Sequence, residues 1–173
     1  MRRMLMCAVM AFGLGMAVPA QAANEIMTVG HVAPDFTLPT LTGGQMSLSS
    51  LKGHSVILKF FASWCHNCQG EMPELVKVST AYAGRVDVLA INLTSSEASP
   101  AVVRRFVTKY GLQGPVLLDR TGVVTARYLV NAIPMTVVIA KDGRVVAAVR
   151  GQQTAKTLTS LFEDAVTGRS FVA

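Results

Sequence analysis

The alternation of apolar and polar positions along this chain divides it into strands and helices. Ser55 to Phe61 (SVILKFF) is short and almost wholly apolar, the pattern of a strand covered on both faces. Upstream, Phe36-Thr37-Leu38 and Gln45-Met46-Ser47-Leu48 alternate about Gly43-Gly44 and predict a hairpin, with Ser49 to Gly53 as a short turn into the buried strand. Downstream of Cys68, residues Met72, Leu75, Val76, Ser79 and Ala83 fall at three- and four-residue steps and predict one face of a helix. Val86 to Leu93 is a second apolar strand. Ser99-Pro100 then supplies an N-cap and first helical position, Val102, Val103, Phe106, Val107 and Tyr110 form an apolar face, and Gly111 supplies the stop. Pro115 to Leu118 predicts a short strand and Gly122 to Leu129 a short helix. Met135 to Ala140 and Arg144 to Arg150 flank Lys141-Asp142-Gly143, a second hairpin. A last helix runs from Thr154 to Thr167 with Leu158, Leu161, Phe162 and Ala165 inward and Gly168 at its end. The order is hairpin, β-α-β, α-β-α, β-β-α, with no repeat or linker, so the segment 23–173 reads as one α/β domain.

The first 22 residues do not fit that pattern. Arg2 and Arg3, an apolar run from Met4 to Val18, and Ala20-Gln21-Ala22 make a basic region, a hydrophobic region and a small-x-small site, so residues 1–22 read as a cleavable signal peptide. The competing reading is an uncleaved inner-membrane anchor, for which the apolar run is shorter than the ~20 residues a spanning helix needs. Export places the protein in the periplasm or an equivalent extracytoplasmic compartment. Without Arg2 and Arg3 the 16 basic residues fall to 14 against 10 acidic ones, a net charge of +4. The basic residues are scattered and no aromatic-interleaved stripe suggests nucleic acid. Loss of Cys7 with the leader leaves two cysteines, Cys65 and Cys68, so no spare thiol competes for pairing in an oxidising compartment.

These two cysteines carry the candidate chemistry. A thiol at the first turn of a helix meets unpaired N–H groups and the positive end of the helix dipole, which favours its thiolate. Cys65 is the expected nucleophile, and Cys68, one turn on, is placed to attack a mixed disulfide on Cys65. Other readings of the pair are weaker. A zinc site lacks a second ligand pair, since no Cys or His follows Cys68. A permanent bridge over so short a loop stabilises by only about 2 kcal/mol in the chain-entropy model. A c-type haem site needs His after the second cysteine, where Gln69 stands. No metal or other cofactor is called for.

The stretches Ala33-Pro34-Asp35-Phe36-Thr37-Leu38, Leu48-Ser49-Ser50-Leu51-Lys52-Gly53, Phe61-Ala62-Ser63-Trp64-Cys65, Glu71-Met72-Pro73-Glu74-Leu75 and Ile133-Pro134-Met135-Thr136 resemble the TlpA/ResA-like thiol:disulfide oxidoreductases, in the same order along residues 30–167. The resemblance implies a thioredoxin-like fold, a central mixed sheet flanked by helices, with an N-terminal β-hairpin and a helical insertion near residues 95–111. It also implies a cis Ile133–Pro134 peptide facing the cysteines, whose backbone docks an extended substrate segment. The partners it implies are protein disulfides or dithiols and a membrane electron donor of the DsbD or CcdA kind. Most such proteins are reductants, some in cytochrome c or metalloprotein maturation, and Ile133 before Pro134 matches thioredoxin.

Four positions are read as tuning residues. Trp64 is expected to shield the disulfide. His66 and Asn67 replace the proline common between the cysteines of relatives, and a cationic His66 favours the Cys65 thiolate while a solvent-facing, neutral one does not. Lys59 stands where thioredoxin has a buried acid and many relatives a neutral amide. It either acts on Cys68 by its charge or is neutralised by desolvation, against the plainer reading of an ammonium that reaches water along the sheet. Relatives also carry a glutamate after the second central strand. Glu97 is the nearest carboxylate, but direct alignment puts Ser95 there. Glu71 and Glu74 read as a solvated helix face, and Pro73 as a kink. The alternatives to a reductant are a disulfide-forming oxidant, a thiol peroxidase, whose Pro and Thr are replaced by Leu58 and Ala62, and a copper chaperone, whose Cys-x-x-x-Cys spacing and distal His are missing.

Overall fold

The computed structural model describes residues 26–170. The proposed leader, residues 1–22, lies outside that range. A five-stranded sheet forms the centre, its strands running side by side in the order Val116–Leu118, Val86–Asn92, Ser55–Phe61, Met135–Ile139 and Val145–Arg150. Strand β3 (Ser55–Phe61) is its middle strand, and all seven of its residues are buried, as the unbroken apolar run predicts. It pairs in parallel with β4 (Val86–Asn92), which pairs in parallel with β5 (Val116–Leu118). On its other side it pairs antiparallel with β6 (Met135–Ile139), and β6 pairs antiparallel with β7 (Val145–Arg150) across the Asp142-Gly143 turn. The sheet is therefore mixed. Helix α1 (His66–Ala81) makes the β3–β4 crossover, and α2 (Pro100–Tyr110) precedes β5.

Alternate residues of β3 serve two cores. Ile57 and Phe61 pack with α1, α2 and α4 (Ala155–Thr167), while Val56, Leu58 and Phe60 face the N-terminal hairpin and α3 (Val123–Arg127). The hairpin is β1 (Thr37–Pro39) against β2 (Gln45–Ser47), joined to the edge of the large sheet by a bridge between Thr40 and Leu117. Tyr128 links this layer together. Its ring lies 5.8 Å from that of Phe36 and 5.7 Å from that of Phe60, and its hydroxyl donates to the Pro34 carbonyl at 2.6 Å.

The predicted elements are all present, and helix α1 corrects one face. Its buried side chains are Cys68, Glu71, Met72, Leu75 and Val78, with Tyr82 just beyond the helix, whereas Val76 and Ser79 are half-buried and Ala83 is exposed. Met72 and Leu75 thus face inward as predicted, and the stripe also takes in Glu71, which apolarity alone does not select. Helix α1 continues through Pro73, which lacks the N–H for one backbone hydrogen bond. In α2, Val103 and Phe106 are buried as predicted, and Gly111 ends the helix at φ 64°, a left-handed conformation that glycine adopts without strain.

Candidate active site

Chain geometry brings the cysteines to the carboxyl end of the central strands, the edge at which α/β sheets place their ligands. Strand β3 ends at Phe61, four residues later Cys65 caps α1, and Cys68 lies in its first turn. The two are joined in a disulfide with Cα atoms 5.2 Å apart. The Cys68 N–H donates to the Cys65 sulfur at 3.1 Å, one of the donors that a helix terminus leaves unpaired. Cys65 is 6% exposed and Cys68 fully buried, so solvent reaches the first cysteine and not the second.

The residues between them, His66 and Asn67, are exposed. Trp64 is 58% exposed, and its Nε1–H donates to the Ser96 carbonyl at 3.0 Å. Pro134 is buried, its peptide bond with Ile133 is cis, and Ile133 is half-buried. The Pro134 carbonyl accepts from Gly151 N–H at 2.8 Å.

Lys59 does not reach water. It is completely buried, and its ammonium donates to Glu71 Oε1 at 2.5 Å and to Thr136 Oγ1 at 2.9 Å. Glu71 is itself 1% exposed, which corrects its placement on a solvated face. The physical reason is mutual: a cation in the middle of an apolar strand needs a buried counter-ion, and Glu71 lies on the stripe of α1 that covers that strand. Burial lowers the Lys59 pKa, and the neighbouring Glu71 carboxylate opposes that shift. Glu71 Oε2 has no hydrogen-bond partner among the described residues. Glu71 follows Cys68 by three residues on the same helix face, a spacing that puts Cβ atoms ~5–6 Å apart. Glu74 is half-buried, not fully solvated, and its Oε2 is likewise unpartnered.

A second carboxylate stands on the other side of the cysteine loop. Glu97 Oε1 accepts from Ser63 N–H at 2.6 Å and from Asn92 Nδ2 at 2.8 Å, and Oε2 accepts from Ser63 Oγ at 2.5 Å. Ser95, which direct alignment puts there, is exposed. A single 3₁₀ turn at Thr94–Ser96 advances the chain so that Glu97, two residues on, turns back to Ser63. The sequence signal available for it was Asn92, a polar residue ending an otherwise apolar strand. For Glu71 the signal was Lys59.

Comparison with known proteins agrees with this geometry. The AhpC/TSA family model matches residues 29–148. The thioredoxin-like protein YneN of Bacillus subtilis (strain 168) is 42% identical over 114 residues, 66% of each chain. The thiol-disulfide oxidoreductase ResA of Bacillus anthracis is 34% identical over 138 residues, 79% of this chain and 78% of that one. Among solved structures, a secreted Mycobacterium tuberculosis disulfide oxidoreductase homologous to Escherichia coli DsbE superposes with a TM-score of 0.68 at 30% identity, covering 74% of this chain and 94% of that one. At the two positions where a thiol peroxidase would carry Pro and Thr, this chain has Leu58 and Ala62, both buried and apolar. The family model, the relatives and a disulfide that caps a helix at the end of a central strand place the chain in the AhpC/TSA family, among thioredoxin-like thiol:disulfide oxidoreductases of the ResA kind.

Proposed function

We propose that the protein acts outside the cytoplasm as a reductant of selected protein disulfides, and that a membrane donor of the DsbD or CcdA kind restores its dithiol. The observation that carries this reading is the inequality of the two sulfurs: Cys65 caps the helix within reach of solvent, and Cys68 is sealed beneath it. In the reduced protein the Cys65 thiolate attacks one sulfur of a partner disulfide and expels the other as a thiolate. Cys68 then loses its proton and attacks Cys65 Sγ, which breaks the mixed disulfide and releases the second partner thiol. Two electrons and two protons pass to the partner, and the protein is left as the disulfide. The unpartnered Glu71 Oε2 is the buried acceptor suited to the Cys68 proton, with Lys59 holding the carboxylate in place. The backbone of Ile133 forms no hydrogen bond within the described residues and is free to pair with an extended substrate segment beside Pro134.

The charges around Cys65 bear on direction only weakly. The helix terminus stabilises the Cys65 thiolate and pushes the couple toward an oxidant, by on the order of 1 kcal/mol, or about 20 mV. Glu97, bonded to Ser63 two residues before Cys65, opposes a second negative charge there. His66 is exposed, a position at which electrostatic effects on Cys65 are screened. These contributions are small against the ~150 mV between thioredoxin and DsbA, so they do not convert one type into the other, and the support for the reductant is the resemblance to TlpA/ResA-like proteins together with Ile133 before Pro134. The signal-like residues 1–22 and the secreted relative support an extracytoplasmic location. Cytochrome c or metalloprotein maturation is the process in which such a reductant acts on a buried or metal-binding cysteine pair. The test is to express Cys68→Ala in the native host. Mixed disulfides with a small set of exported proteins carrying cysteine pairs are expected, and an absence of any trapped partner would contradict the reading.

A further inference from the structure

Beside the disulfide a cleft of about 180 Å³ opens between the cysteine loop and α2. Ser63 and Gln69 form its near wall, and the Gln69 amide donates to the Ser63 carbonyl at 2.8 Å, fixing that wall. Phe106 and Tyr110 line it from α2, with rings 4.7 Å apart, and Phe106 stacks on Phe61 of β3 at 5.2 Å, which holds the helix in register with the active site. The remaining polar lining is cationic: Arg105 and Lys109, four residues apart on one face of α2.

Neither of those two charges has an acidic partner among the described residues, and α2 itself (PAVVRRFVTKY) contains no acidic side chain. Arg104, by contrast, is used within the fold, its Nη1 donating to the Leu41 carbonyl at 2.9 Å. Glu97, which follows β4 and bonds the cysteine loop, is already held by Ser63 and Asn92. Lys109 lies over the Tyr110 ring at 5.0 Å, in the last turn of α2, and neither cation has a carboxylate partner among the described residues.

We infer that the cleft between Ser63 and α2 docks an acidic segment of the partner protein, with Arg105 and Lys109 pairing carboxylates that flank the exchanged cysteine while Phe106 and Tyr110 receive an apolar neighbour. This rests on the disulfide-exchange reading above and names its substrate class. Charge pairs at such a rim act on encounter and orientation, so their effect appears in the rate of the bimolecular step and weakens with salt.

The test uses the full-length reduced protein and two disulfide-bonded peptides of equal length, one with Asp and one with Ser beside the cysteines. Each rate is divided by that for dithiothreitol acting on the same peptide. The protein is expected to prefer the Asp peptide by roughly tenfold at low salt, with the preference shrinking at 0.5 M salt. Arg105→Gln with Lys109→Gln removes the preference, and Arg105→Glu with Lys109→Glu inverts it. Equal normalised rates for the unsubstituted protein, or a preference that survives both double substitutions, would overturn the docking inference alone. Failure to reduce either peptide would overturn the exchange reading and this one with it.

Discussion

Lys59 is a cation at the centre of the sheet, and its environment decides what happens when it is removed. Both members of the pair are sealed from water, so truncating one leaves the other charged and unpaired in a low-dielectric interior. Lys59→Met is therefore expected to destabilise the fold by about 3–5 kcal/mol, and adding Glu71→Leu to recover most of that loss, measured by denaturant unfolding. The pair also sets a pH dependence. Burial holds the Lys59 pKa below the ordinary 10.5, so between its folded value and 10.5 the unfolded chain binds more protons than the folded one. Stability contributed by this group accordingly rises with pH across that window and is lost as pH falls through it. The Lys59→Met, Glu71→Leu double variant should lack that slope. A double variant as unstable as the single one would show that the carboxylate is not what Lys59 compensates.

At the scale of elements, Tyr128 is the point where the N-terminal hairpin layer, α3 and the central strand meet. Tyr128→Phe keeps both aromatic contacts and removes only the hydroxyl, leaving the Pro34 carbonyl without its donor, at an expected cost of about 1–3 kcal/mol in thermal or denaturant unfolding. Burial raises the phenol pKa, so above pH ~10 unfolding releases a proton and stability falls, a slope the Phe variant should lose. The elements themselves were legible wherever local chemistry sufficed. Gly43-Gly44 and Asp142-Gly143 fix turns, the SVILKFF run can only be a covered strand, and Ser99-Pro100 with Gly111 bounds α2. What was not legible depended on a partner distant in sequence. The inward face of α1 follows Cys68, Glu71, Met72, Leu75 and Val78 because Lys59 lies opposite, and no apolar count includes a glutamate. Glu97 escaped for a different reason: one 3₁₀ turn shifts the alignment by two residues, and only the fold shows which carboxylate reaches Ser63.

At the scale of the whole molecule, the exported form is expected to begin at Ala23, after Ala20-Gln21-Ala22, and the intact mass of protein recovered from the extracytoplasmic fraction checks this. Retention of Met4 to Val18 in a membrane fraction would indicate an anchored form. The electron donor and the partner proteins depend on one property, the direction in which the Cys65–Cys68 couple runs. Its reduction potential, obtained by equilibrating the protein with a dithiol buffer of known poise and counting free thiols, tests that directly. A value near the thioredoxin end, about −270 mV, is predicted, since Ile133 before Pro134 matches thioredoxin and the charges near Cys65 are too weak to shift the couple to the other end. A value near −120 mV, that of DsbA, would contradict the account and make the protein a disulfide-forming oxidant.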